Sequence, residues 1–92
     1  CINGAAGRMG QRLVALASAD PALELVAALD SPGHARAGQD AGEIAGVGKL
    51  GVPLASSLPD GLLIDAMIDF SAPAGTLAVL PVCTARRLPL VV

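Results

Sequence analysis

Residues 1–10 read CINGAAGRMG, a short apolar start followed by glycines at Gly4, Gly7 and Gly10. Immediately behind them the pattern turns helical. From Arg8 to Ala19 the apolar residues Met9, Leu13, Leu16 and Ala17 recur at helical spacing, with Arg8, Gln11 and Arg12 at polar positions. Asp20-Pro21 ends the helix, because the residue before a proline is pushed out of the helical region. The stretch is therefore a strand-to-helix junction whose turn has almost no side chains. Gly4 suits the tight turn, Gly7 lets a ligand come close to the backbone, and Gly10 lets the helix sit close to the sheet.

The rest of the chain continues the alternation. Leu23 to Leu29 (LELVAAL) is apolar nearly throughout, as in a strand buried on both faces, and Asp30 stands at its end. Residues 31–51 read as a long loop with one helical turn near Asp40–Ala45, and loops of that length in a compact domain are usually functional or mobile. Val52 to Ala55 is a short strand. Leu58 to Ile64 is a weak helix or a turn, and Pro59-Asp60-Gly61 favours the turn. Ala66 to Phe70 is a further strand. Ser71 and Pro73 signal a helix start. That helix runs from about Pro73 to Arg87 with Leu77, Leu80 and Val82 inward, and Pro81 predicts a kink or an early end. Leu88 to Val92 begins a last strand. Strands alternating with helices imply an α/β fold with a parallel sheet and right-handed crossovers. Specifically, a Rossmann-like doubly wound sheet is expected, truncated at both ends, with bare edges that invite association.

Composition narrows the function. Hydrophobic residues make up 53% of the 92, which excludes a disordered chain. A net charge of −2 argues against a nucleic-acid surface. No apolar run reaches the ~18 residues of a membrane span, and no secretory signal is visible. Cys1 and Cys83 lie too far apart for a metal motif and read as two reduced, buried thiols. No metal site is expected.

The glycines point to an anion. Free N–H groups and the positive dipole end of the helix beginning near Arg8 favour a phosphate. The spacing is G-x-x-G-x-x-G rather than G-x-G-x-x-G, with the small Ala6 preserving the approach. Asp30 lies at the distance past the glycines where an acid holds an adenosine ribose through its 2′- and 3′-hydroxyls. Plainer readings stand beside these: a ligand-free tight turn for the glycines, a turn cap for Asp30, an exposed helix residue for Arg8. Arg8 otherwise faces the adenosine phosphates. His34 and Arg36, just beyond Asp30, read as solvated loop residues or else as contacts for a 2′-phosphate. Gly46-Val47-Gly48-Lys49-Leu50 is not a lysine phosphate loop, because Leu50 cannot supply the hydroxyl that such a loop places on magnesium. A second ligand-facing point is the strand end at Asp69-Phe70-Ser71. In an open parallel sheet ligands lie at the carboxyl ends of strands. Phe70 packs there on a nicotinamide or ribose, or else belongs to the core with Ser71 as a cap. Asp69 reads as structural, held by nearby backbone.

Taken together, Gly4 to Gly10, then Asp30, then Asp40-Ala41-Gly42-Glu43-Ile44-Ala45-Gly46, then Asp69-Phe70-Ser71-Ala72-Pro73-Ala74-Gly75-Thr76 resemble the N-terminal part of the 4-hydroxy-tetrahydrodipicolinate reductase (dihydrodipicolinate reductase) family. The resemblance covers nearly the whole chain. It implies a cytoplasmic, homotetrameric enzyme of lysine and diaminopimelate biosynthesis that reduces a cyclic unsaturated dicarboxylate with NADH or NADPH. It implies that Gly4, Ala5, Ala6, Gly7, Arg8 and Met9 cradle the pyrophosphate, with Gly10 behind them. Asp30 would bind the adenosine ribose, and Phe70 and Ser71 would border the nicotinamide.

Two departures carry expectations. Ser31 stands where some relatives have an arginine for a 2′-phosphate, so NADH is the expected preference. The family's Gly-Thr-Thr-Gly stretch and its His-His and Lys catalytic region would lie beyond Val92. No catalytic residue is therefore expected among these 92, the substrate domain is absent, and the chain reads as one partial dinucleotide-binding domain, inactive alone. The alternative is a non-catalytic Rossmann module that senses NAD or NADP, since dinucleotide binding alone does not imply turnover.

Overall fold

A computed structural model describes residues 1–58, 61–71 and 73–91. The elements follow in the order β1 (Ile2–Asn3), α1 (Arg8–Ala19), β2 (Ala28–Leu29), α2 (Ala41–Ile44), β3 (Leu54–Ala55), β4 (Met67–Asp69), α3 (Pro73–Arg86) and β5 (Leu90–Val91). All five strands are parallel, in the spatial order β3-β2-β1-β4-β5. The chain leaves β1 toward one edge, returns, and leaves again from β4 toward the other. The order thus reverses between β1 and β4, which is the topological switch point of a Rossmann-type sheet.

Successive strand residues face opposite sides, and the two faces are covered by different elements. Ile2, Ala28 and Leu54 join Val14 of α1 and Ala41 of α2 in one core cluster. Ala27, Leu29 and Met67 join Val79 and Cys83 of α3 in the other. The sheet is therefore doubly wound, as expected. Cys83 is buried beside Met67, with Sγ 3.8 Å from the thioether sulfur. Burial, and then the charge of Asp69, push its thiol pKa up, so it stays a neutral core residue. Cys1 is also a free thiol but only half-buried, against the expectation of burial for both.

Helix faces are where the expectations fail. In α1 the buried residues are Gly10 and Val14, whereas Met9 is 48% and Leu16 61% exposed. The helix docks through its glycine, and this rotates the leucine stripe partly outward. In α3 the inward pair is Val79 and Cys83, at 7% and 4% exposure, while Leu77 is 67% exposed and Leu80 also faces out. Of the three residues expected inward, only Val82 leans on the core. The helix continues through Pro81 to Arg86, without the early end. Arg87 then takes a left-handed φ of 55°, while Leu88 N–H donates to the Cys83 carbonyl.

The second strand is two residues long rather than seven. Its ladder extends only as far as its neighbours do: Ile2–Asn3 of β1 on one side and Leu54–Ala55 of β3 on the other. Residues 23–26 instead border a cleft of about 460 Å³ shared with Leu13, Leu16 and residues 63–66. The β3 edge, expected bare, is covered. Gly38 N–H donates to the Leu54 carbonyl and Leu54 N–H to the Gln39 carbonyl, with an antiparallel bridge between Asp40 and Pro53. Asp40 organises that cover. Its carboxylate accepts the N–H groups of Gly42, Glu43, Leu50, Gly51 and Val52, closing the loop around α2. Of the turn expected at Pro59-Asp60-Gly61, the first two residues lie outside the described residues, as do Ala72 and Val92.

Candidate functional site

The Gly-rich turn sits at the carboxyl end of β1, beside the carboxyl end of β4. Gly4 has φ +82°, a conformation that residues with a side chain rarely adopt. A Cβ on it would lie 2.8 Å from the Phe70 carbonyl oxygen, so the two strand ends touch backbone to backbone. Gly10 is tighter still: a Cβ there would lie 2.0 Å from the Gly4 carbonyl oxygen. Gly7 differs from both. It is exposed, and a Cβ would meet nothing nearer than the Gly4 carbonyl oxygen at 3.4 Å.

The backbone hydrogen bonds of this turn can be followed one by one. The N–H groups of Gly4 and Ala5 both donate to the Leu29 carbonyl, and Gly7 N–H donates to the Gly4 carbonyl. Ala6 N–H donates to Asp30 Oδ2 at 3.0 Å, and the Ala6 carbonyl accepts from Gln11 Nε2 at 2.7 Å. The first intrahelical donor is Gln11, to the Gly7 carbonyl. Gly7 is the N-cap of α1 and provides no side-chain cap. The N–H groups of Arg8, Met9 and Gly10 are the first-turn donors that a helix itself cannot satisfy. The turn's own amides are tied down, and those of the first helical turn are left for an anion.

A cleft of about 410 Å³ opens at this point, lined by Asn3, Gly4, Gly7, Asp30, Phe70 and Ser71 and by Ser31, Pro32, Ser56, Gly75, Ala78 and Val79. Five of the ten expected site residues thus meet around one cavity: Gly4, Gly7, Asp30, Phe70 and Ser71. Phe70 is 47% exposed at its rim and is not a core residue. Ala5 and Ala6 turn their methyl groups to the core, and Gly10 lies beneath the turn. Arg8 and Met9 are exposed on the first turn of α1 and are not among the lining residues. His34 and Arg36 lie outside the cleft too, where His34 Nδ1 accepts the Arg36 N–H.

Beneath Phe70 lies a polar knot that the sequence shows only in part. Asp69 is 2% exposed. Its Oδ1 accepts from Ser71 N–H at 2.9 Å, Ser71 Oγ at 2.5 Å and Asn3 Nδ2 at 3.2 Å. Its Oδ2 accepts from the Thr76 hydroxyl. Burial raises the Asp69 pKa, but the Ser71 and Thr76 hydroxyls, the Ser71 amide and Asn3 outweigh it and hold the group below the usual carboxylate value. An ionised carboxylate committed to that many donors is a structural anchor, in keeping with the reading of Asp69. Asn3 and Gln11 were not expected at the site. The partners of Asn3 are set by tertiary contact, and Gln11 bonds Ala6 five residues before it through a turn geometry that residue spacing does not reveal.

The residues present fit a dinucleotide: a cradle without side chains, unsatisfied amides at a helix N-terminus, and an acid at the next strand end. Comparison with known proteins points the same way. The family model described as "Dihydrodipicolinate reductase, N-terminus" matches residues 1–92. A 4-hydroxy-tetrahydrodipicolinate reductase of Methylococcus capsulatus is 45% identical over 92 residues, covering 99% of this chain and 34% of the relative. Enzymes of the same name from Halorhodospira halophila and Alkalilimnicola ehrlichii are 43% and 47% identical over 91 and 92 residues, each again with 34% of the relative covered. The chain thus spans about a third of the length of the curated relatives it matches.

Proposed function

The chain belongs to the dihydrodipicolinate reductase family, matching its N-terminal part throughout, and on that premise we propose that its cleft holds the reductant for conversion of 4-hydroxy-tetrahydrodipicolinate to tetrahydrodipicolinate. The cofactor of this reading is NADH or NADPH, and the pathway is lysine and diaminopimelate biosynthesis. The observation that carries it is the set of Arg8, Met9 and Gly10 amides at a bare glycine N-cap, beside a cleft whose rim holds Asp30. Bound there, the nicotinamide would supply a hydride to an electrophilic carbon of the substrate.

The chain's own residues orient and hold. Gly4 and Gly7 clear space for the pyrophosphate, and the first-turn amides of α1 donate to it. Asp30 accepts from the ribose hydroxyls with the lone pairs left free by Ala6 and Ser31, and its charge repels a 2′-phosphate, which favours NADH. Phe70 presents its ring at the nicotinamide end, with Ser71 beside it. Substrate-binding and proton-donating groups belong to the remaining two-thirds of such a protein, a homotetramer of the cytoplasm in this reading. These 92 residues bind cofactor and do not turn over.

The test is a fluorescence titration of NADH with the purified chain, with ADP as competitor, alongside an assay for substrate-dependent NADH oxidation. Saturable binding displaced by ADP, with no oxidation, is the expected result. NADH emission that never responds to the chain would sink the reading.

A further inference from the structure

Ala6 is held through both of its backbone groups, by residues that come from different elements. Its N–H is held by Asp30 Oδ2 at 3.0 Å, from the end of β2. Its carbonyl is held by Gln11 Nε2 at 2.7 Å, from the second turn of α1. Gln11 also donates its backbone N–H to the Gly7 carbonyl, so one residue is bonded to both peptides flanking the exposed Gly7. We propose that Gln11 is a positioning residue for the pyrophosphate: with Asp30 it clamps the two peptides that meet at Ala6, holding Gly7 and the first-turn amides of α1 in their anion-binding arrangement before the nucleotide arrives. The proposal rests on the dinucleotide reading of the cleft and adds a residue that never touches the ligand.

The physical reason is preorganisation. A glycine-rich turn has more conformational freedom to lose on binding than any other kind of segment. Gly4 and Ala5 are anchored through Leu29, and α1 is anchored through Gly10 and Val14. Between these anchors the Ala6-Gly7 peptide has no long side chain of its own and is held on one edge by the Gly7 N–H on the Gly4 carbonyl. Gln11 holds its other edge through the Ala6 carbonyl, and Asp30 holds the peptide before it through the Ala6 N–H. The clamp also links the two halves of the site, because the carboxylate assigned to the ribose orients the peptide next to the phosphate cradle.

Gln11→Met keeps length and volume and removes only the donor. Isotope-labelled chain is titrated by NMR with NADH, ADP and adenosine, and each variant is checked for a cooperative melt. Gln11→Ala, equally compatible with the helix, replaces the Met variant if that one fails to fold. The expected result is that NADH and ADP bind roughly 3–10-fold more weakly, the scale of one net hydrogen bond, while adenosine is unchanged. A residue that merely supports the fold would weaken adenosine in parallel, and that result overturns the proposal. So does unchanged affinity for ADP. If the wild-type chain itself binds neither NADH nor ADP, the dinucleotide reading falls and this proposal falls with it.

Discussion

Asn3 and Asp69 are register partners on adjacent strands, and the Asn3 side-chain amide donates to Asp69 Oδ1 across 3.2 Å. The same nitrogen lies 3.3 Å from Ser71 Oγ and 3.2 Å from the Gly75 carbonyl. One amide on β1 is therefore bonded to the end of β4, to the residue after Phe70 and to the first turn of α3. These bonds cross the sheet at the switch point, where the strands diverge toward opposite edges and the cleft opens. Among the described residues, no buried side-chain nitrogen or oxygen is left without a partner.

Removing the acceptor at the centre of this knot is costly, because the Ser71 amide and hydroxyl, the Thr76 hydroxyl and the Asn3 amide all lose a bond at once. Asp69→Ala is expected to destabilise the fold by about 2–4 kcal/mol, and Asn3→Ala, which leaves Asp69 its hydroxyl donors, by about 1–2 kcal/mol. Urea unfolding of both single variants and of the double variant measures this. The double variant should lose less than the sum, since the two residues share a bond. Strict additivity would mean that the contact contributes nothing.

Two carboxyl groups set the acid limit. Asp40 is held below the ordinary carboxylate value by the Leu50 amide first, against a partial desolvation, with the Glu43, Gly51 and Val52 amides adding to it. Asp69 is lowered as well. A folded-state value depressed below the unfolded ~3.9 means that the stabilisation is complete above the unfolded value and is lost as pH falls through the folded one. Stability should therefore hold from neutral pH down to about 5 as far as these groups are concerned, and decline below about 4. Urea midpoints measured across that range, with Asp40→Asn showing a shallower decline, check this. A midpoint constant down to about pH 2.5 would contradict it.

How much of this was legible before the fold was known depends on whether the signal was local. The bounds of α1 were, because Gly7 and Asp20-Pro21 mark its ends within the chain. So were the helical turn behind Asp40 and the parallel, doubly wound sheet, since alternation of strand and helix leaves few topologies. The face of α3 was not. Apolar residues surround that helix, and periodicity gave no reason to prefer Val79 and Cys83 over Leu77 and Leu80. The site divides along the same line. Glycines and Asp30 are readable because their placement around one cleft follows from spacing along one strand–helix–strand unit. Asn3 and the Asp40 carboxylate act through bonds that exist only once separated segments meet, and Gln11 acts through a side-chain bond to Ala6 whose geometry the turn itself sets.

Asp30 tests the ribose end. Its two oxygens accept the Ala6 and Ser31 N–H groups, at 3.0 and 2.8 Å. Asp30→Asn retains one acceptor, turns an NH₂ toward a donor and removes the charge. NADH binding should weaken about tenfold or more, the scale of a hydrogen bond to a charged group. NADPH should weaken less, because repulsion of the 2′-phosphate disappears with the charge. Parallel titrations of both cofactors measure the ratio, and an unchanged ratio would remove Asp30 from cofactor selection.

Gly7 and Gly10 are three residues apart in one motif, yet they answer to different demands. A methyl group on Gly10 collides with the Gly4 carbonyl at 2.0 Å, with Ala5 Cα also at 2.7 Å. Gly10→Ala must push α1 away from the turn, and about 2–3 kcal/mol of stability should go with it, on the scale of overpacked cores. Gly7 has φ −73° and ψ 170°, extended backbone open to any residue, with no contact nearer than 3.4 Å to a new Cβ. Gly7→Ser supplies the hydroxyl cap that the helix lacks, so stability should rise by a few tenths of a kcal/mol. The same hydroxyl then occupies the first-turn amides and the space above them, and NADH affinity should fall about tenfold. Opposite signs from one substitution, a higher melting temperature with weaker binding, are what a glycine kept for a ligand predicts. A glycine kept only for its turn predicts that Gly7→Ser leaves NADH binding where it was.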